Sequence, residues 1–201
     1  LRPLDHPLAS VDDNLTIELP FLIQDGSGDR ASGSLSVTIN DDTPDAGPIA
    51  AQGVAETTGG EGNAFVTAVA TSSLNIDWNA DDANPGVGAI DRKVAFAASV
   101  TAPEGLTSNG EAITYSFNAD RTLLTARAGE RVIFTVQLSD AGNGSYTFTL
   151  SDNIDHLGAN AASLALGFAI VATDADGDTV PSSFTVNGAD DVPTAGEIAA
   201  Q

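Results

Sequence analysis

Large apolar side chains recur at every second position over much of the chain. Leu164, Leu166, Phe168 and Ile170 alternate with smaller neighbours, and Tyr146, Phe148 and Leu150 alternate with Thr147 and Thr149. Phe134, Val136 and Leu138 repeat the pattern, as do Ile113, Tyr115 and Phe117. Phe184 with Val186, and Val94 with Phe96 and Val100, extend it. A period of two is the mark of half-buried strands, whose successive side chains point to opposite faces. Turn residues separate these runs: Ser108-Asn109-Gly110, Ala141-Gly142-Asn143-Gly144 and Ala175-Asp176-Gly177-Asp178. Asn143-Gly144 predicts a hairpin between a strand at 133–138 and one at 146–150. Short strands joined by polar turns predict an all-β protein, a β-sandwich. Gly53–Asn63 lacks large apolar residues and reads as a loop or loosely held edge, and Asp77–Pro85 reads as an acidic loop. Ala159–Ser163 is the one stretch with room for a short helix.

The end of the chain repeats an earlier part. Asn40-Asp41-Asp42-Thr43-Pro44-Asp45-Ala46-Gly47 aligns with Ala189-Asp190-Asp191-Val192-Pro193-Thr194-Ala195-Gly196, an offset of 191 − 42 = 149. The same offset places Asp25–Asp29 on Asp174–Asp178, and Leu15, Ile17, Leu19 and Phe21 on Leu164, Leu166, Phe168 and Ile170. Leu35, Val37 and Ile39 fall on Phe184, Val186 and Gly188. With a slip of one residue, Asp5-His6 matches Asp155-His156. The expected organisation is the C-terminal part of a preceding repeat at 1–44, a complete sandwich repeat at 45–193, and the start of the next linker or repeat at 194–201. The strands in 1–44 are too few to cover their own apolar face or pair their edges. Their complement is expected elsewhere, set apart by an inserted domain or cut away. Tandem modules of this kind build quasi-linear arrays.

Charge narrows the chemistry. Seven Lys and Arg stand against 28 Asp and Glu, a net charge of −21. Such a surface repels nucleic acid and anionic membranes and attracts cations. Disorder, the other common reading of acidity, does not suit a chain that is 42% hydrophobic and strongly alternating. There is no Cys, so neither a disulfide nor a thiolate metal site holds the fold. No apolar run approaches the roughly 20 residues of a membrane span, and no N-terminal signal peptide is visible.

Asp174-Ala175-Asp176-Gly177-Asp178 is the sharpest motif. Residues at i, i+2 and i+4 of an extended stretch project to one side. Three carboxylates so close repel unless a cation sits among them, and hard oxygen ligands select Ca²⁺. The bland alternative is a solvated acidic turn. An EF-hand is rejected, because its twelfth position would be Thr185. The earlier copy keeps Asp25 and Asp29 with Ser27 between them, a weaker or empty site. Asp41-Asp42 and Asp190-Asp191 form the second candidate, each with a Pro two residues further on, where an ion shared with a loop such as Gly59–Asn63 or Asp140–Gly144 would stiffen a junction and the alternative is an ordinary polar linker. Asp77, Asp81 and Asp82 make a third, weaker cluster. Trp78, the only Trp, either plugs the core or offers a stacking platform to a glycan or peptide. His6 and His156 read as hydrogen-bonded turn residues rather than bases. No Gly-x-Ser-x-Gly, His-Glu-x-x-His or phosphate-loop motif occurs, so the chain is not expected to be an enzyme.

The ordered set Leu106–Ala112, Val132–Val136, Gly144–Leu150, Asp155-His156, Thr173–Thr179 and Asp190–Pro193 resembles the repeat of giant type I secreted adhesins of the repeats-in-toxin group. The resemblance covers nearly the whole chain. It implies Ca²⁺-rigidified Ig-like modules, exported by a type I system and displayed on the bacterial cell surface for adhesion and biofilm formation. Expected partners are neighbouring adhesin modules, an inserted sugar-binding domain, and surface glycans or proteins. Neither nucleic acid nor direct membrane insertion is expected. The remaining alternative is a glycan- or peptide-binding module of the same adhesin.

Overall fold

The computed structural model describes residues 14–59, 64–86, 91–156 and 163–190. Among these the protein is all-β, with no helix. In chain order the strands are β1 (Asn14–Gln24), β2 (Arg30–Asn40), β3 (Asp45–Ala46), β4 (Gln52–Ala55), β5 (Thr58–Gly59), β6 (Ala64–Phe65), β7 (Ala68–Ser73) and β8 (Ile76–Asp77). They continue with β9 (Lys93–Phe96), β10 (Thr107–Ser108), β11 (Glu111–Phe117), β12 (Leu123–Ala128), β13 (Arg131–Ser139), β14 (Ser145–Leu150), β15 (Ser163–Thr173) and β16 (Thr179–Ala189). The chain divides into two units, one of Leu1–Asp45, Trp78–Arg92 and Thr173–Val180, the other of Ala46–Asp77, Lys93–Ala172 and Pro181–Gln201.

The second unit holds the sandwich. One sheet has the order β10-β11-β12-β13-β14-β7 and the other β4-β16-β15-β9. The alternating residues of both sheets point inward and stack. Phe134 and Phe148 lie 4.9 Å apart on the first sheet, and Phe168 and Phe184 lie 5.2 Å apart on the second. Across the gap, Tyr146 stacks on Phe184 at 3.9 Å and Phe134 meets Phe168 edge-on at 6.3 Å. Ring pairs of this kind add to the stabilisation from burial itself. The predicted hairpin joins β13 to β14, pairing Val136 with Phe148 and Ser139 with Ser145. Its loop, 140–144, is longer than the two residues that Asn-Gly favours. The stretch read as loop or edge begins as an edge strand, because β4 lies parallel to β16 with Gln52 opposite Val186. Of the stretch with room for a helix, Ser163 opens β15 and the rest lies outside the described residues.

The first unit contains an in-register antiparallel hairpin, from Asn14 opposite Asn40 to Gln24 opposite Arg30. Leu15, Ile17, Leu19, Phe21 and Ile23 share one face with Ile39, Val37, Leu35 and Ala31. That face is open: Leu19 is 49% exposed and Leu35 54%. Their counterparts one repeat later, Phe168 and Phe184, are 1% and 2% exposed.

Candidate metal centre

The tip of the β15–β16 hairpin and the tip of the β1–β2 hairpin are the same turn, built twice. In each, the first Asp donates its backbone N–H to the carbonyl of the last Asp at 3.0 Å, Asp25 to Asp29 and Asp174 to Asp178. A glycine at positive φ follows the middle residue, Gly28 at 97° and Gly177 at 116°, where a Cβ would be strained. Oδ1 of the first Asp accepts backbone N–H groups, Ser27 and Asp29 for Asp25, Gly177 and Asp178 for Asp174.

The middle residue makes the difference. Ser27 donates its hydroxyl to Asp25 Oδ1 at 2.8 Å. That bond, with the backbone donors, holds the exposed Asp25 carboxyl below its ordinary range. At the equivalent place Asp176 brings a second carboxylate and no donor. Asp174 is 2% exposed and Asp178 1%. Oδ2 of Asp174 and Oδ1 of Asp176 are buried and accept no hydrogen bond. One ligand oxygen from each of Asp174, Asp176 and Asp178 lies within 4.8 Å of the others. Burial first, and then contact with Asp176, pushes Asp174 up to about 8. A buried carboxylate facing another carboxylate is stabilised either by a proton or by a cation. An oxygen-only ligand set fits a hard divalent ion.

A second group in the same unit combines Asp41, Asp42 and Asp81, again within 4.8 Å. Asp42 Oδ2 accepts the backbone N–H of Ala80 at 2.7 Å, and the Asp81 carbonyl accepts that of Ala175 at 3.0 Å. Asp81 is 6% exposed, whereas its neighbours Asp77 and Asp82 are exposed. Burial first, then the charges of Asp176, Asp42 and Asp41, raises Asp81 to about 6. The third sequence cluster is therefore divided. Asp81 alone joins an oxygen cage, with the pair at the end of β2. Its partnership with Asp41 and Asp42 is not visible in the sequence, because it depends on the path of a loop 39 residues further on (81 − 42 = 39).

In the second unit, Glu56, His156 and Asp190 come together. Glu56 Oε1 accepts the backbone N–H of Ile154 at 2.7 Å and lies 3.4 Å from His156 Nε2, both side chains being buried. Burial outweighs these contacts and raises Glu56 above the ordinary carboxylate range. Glu56 was missed in the sequence because nothing in its spacing pairs it with His156. Asp190 belongs to this group, while Asp191 lies outside the described residues. Asp155 has a separate task. Its two oxygens accept the backbone N–H groups of Asn109 and Gly110 at 2.8 and 2.7 Å, closing the β10–β11 turn. Trp78 is 4% exposed, and the Arg92 guanidinium lies 4.9 Å above its ring. A ring so placed packs; it has no open face for a sugar.

No family model, curated protein or solved structure matches this chain.

Proposed function

We propose that this chain is a calcium-stabilised structural module of a large bacterial surface adhesin, with no catalytic role. The observation that carries the calcium reading is the pair of equivalent turns. Where one copy places a serine hydroxyl, the other places Asp176 against the buried Asp174. The second turn thus lacks a donor and gains a charge, which is the requirement of a cation site. The adhesin reading rests on the ordered motifs that resemble repeats-in-toxin adhesins. With it go type I export, display outside the cell, and neighbouring modules as partners. A chain of net charge −21 suits an environment where divalent ions neutralise it. The burial of Trp78 speaks against the glycan-platform alternative.

Thermal melts of the intact chain in EDTA, excess Mg²⁺ and excess Ca²⁺ test the reading. Calcium is expected to raise stability by about 2.7 kcal/mol at a hundredfold excess over Kd, roughly 5–10 °C for a chain of this size. Magnesium, which demands a tighter octahedral shell, is expected to do much less. Coincident melts in all three conditions would sink the calcium reading.

A further inference from the structure

We propose that Glu56, His156 and Asp190 form a metal site of a different kind, which takes a borderline divalent ion such as Zn²⁺ through two carboxylates and an imidazole. It lies within the sandwich unit and does not depend on the calcium reading. Each of the three residues offers a ligand atom within 4.8 Å of the other two.

Backbone pairing brings the three together from distant parts of the chain. β4 runs parallel to β16. The Glu56 N–H donates to the Ala189 carbonyl at 3.0 Å, which carries the ladder past the end of β4 and sets Glu56 beside Asp190. His156 comes from the stretch after β14, and that stretch is fixed just before it. The Asp155 N–H donates to the Thr107 carbonyl at 2.8 Å, and the Ile154 N–H donates to Glu56 Oε1 at 2.7 Å. Gly188 of β16 leaves the imidazole its room. A Cβ there would already touch His156 Cε1, at 3.9 Å, where the earlier copy holds Ile39.

The distances suit ligands better than a bare ion pair. His156 Nε2 lies 3.4 Å from Glu56 Oε1, with the two side chains 2% and 5% exposed. A good N–H···O hydrogen bond measures about 2.7–3.2 Å. Two ligands about 2.0–2.1 Å from one tetrahedral ion stand roughly 3.3–3.4 Å apart. The charge agrees, since two carboxylates and a neutral imidazole carry −2, which one dication cancels. The bond from Ile154 holds the Glu56 carboxylate in place, a support that metal-ligating carboxylates commonly have. The imidazole separates this group from the oxygen-only triads: nitrogen suits zinc and its neighbours, whereas Ca²⁺ takes oxygen. An ion here would pin the end of β4, the stretch at 154–156 and the end of β16 to one another.

Equilibrium dialysis of the intact chain against Zn²⁺, with Ca²⁺ in excess to hold the oxygen cages, counts the zinc and gives its affinity. The wild type is expected to take up zinc, and nitrogen NMR of its two histidines should show the ion at His156 and not at His6. Loss of a group that merely supports a ligand weakens a site by about 10–100-fold, so His156→Ala, which removes the ligand itself, should weaken binding by more than that. His6→Ala should change nothing. Should His156→Ala disturb folding, Asp190→Asn reads the same site from a half-buried position, with an expected loss of about 10-fold or more. No zinc uptake by the wild type overturns the site, as does a zinc-induced shift at His6 in place of His156. Uptake that His156→Ala and Asp190→Asn leave unchanged overturns it too. The calcium melts are read without zinc, so the calcium reading stands or falls separately.

Discussion

A carboxylate ringed by N–H donors and a carboxylate facing other carboxylates make opposite demands, and Asp25 and Asp174 meet them from the same turn. Asp176→Ser should convert the second into a likeness of the first. In EDTA this variant is expected to melt higher, gaining about 1–2 kcal/mol because an unsatisfied buried charge gives way to a donor. Its melting temperature should respond less to calcium than that of the wild type. A lower melt in EDTA would show that Asp176 stabilises the metal-free turn and contradict the account. Asp155 is the donor-rich extreme. Burial raises it, but the Gly110 and Asn109 N–H groups, the Thr107 hydroxyl and Arg131 together bring it below the ordinary range. A lowered carboxyl contributes stability above its unfolded value and loses it as pH falls. Asp155→Ala should cost about 1.5–3 kcal/mol in a denaturant melt at neutral pH, as for hydrogen bonds to a charged group. The Asp174–Asp178 triad was legible from its spacing, although the extended stretch assumed there is not what gathers it: the three residues lie in a hairpin turn, with Gly177 at positive φ, and the turn brings the carboxylates together. Asp81 was not legible, because only the loop path buries it and leaves Asp77 and Asp82 outside.

The two long hairpins carry nearly the same alternation and meet opposite fates. β15–β16 lays Phe168 and Phe184 against Tyr146 and Phe134, while the equivalent Leu19 and Leu35 of β1–β2 face outward. Truncating the same repeat position should therefore give unlike results. Phe168→Ala is expected to cost about 3–5 kcal/mol through lost burial and a cavity. Leu19→Ala should stay within about 0.5 kcal/mol, the usual range for an exposed site. Urea denaturation measures both, and a loss of several kcal/mol at Leu19 would mean that this face is covered in solution. Alternation identified both elements, because a period of two fixes which residues share a face. It carries no information on whether that face finds a partner. The edge strand β4 escaped a firm assignment for a related reason. Gln52–Ala55 pairs through backbone groups and offers little large apolar surface to read.

At the scale of the molecule, the all-β class follows from strand periodicity and turn chemistry, whereas the interleaving of the two units does not. Trp78–Arg92 and Thr173–Val180 group with the N-terminal hairpin through contacts that no local pattern records. The consequence is a concentration of raised carboxyls, Asp174 at about 8 and Asp81 at about 6. Their folded values lie above the unfolded value of about 3.9, so the folded state holds extra protons. Stability from this source is fully present below about pH 4 and is lost as pH rises through about 6 and then about 8. Most exposed carboxyls are already ionised at pH 5, so a decline above that point reports the buried ones. Calcium binds the ionised form and offsets the decline, because a cation replaces the protons being lost. Melts in EDTA should fall between pH 5 and pH 8.5, and melts in excess Ca²⁺ should fall much less, so that the two curves diverge. Glu56, raised by burial in the other unit, adds to the decline in EDTA. Glu56→Gln removes its share and should leave the calcium-dependent gap intact, which isolates Asp81 and Asp174 as the source. A calcium gain of equal size at pH 5 and pH 8 would place the ion away from these carboxylates, on groups that carry the same charge at both.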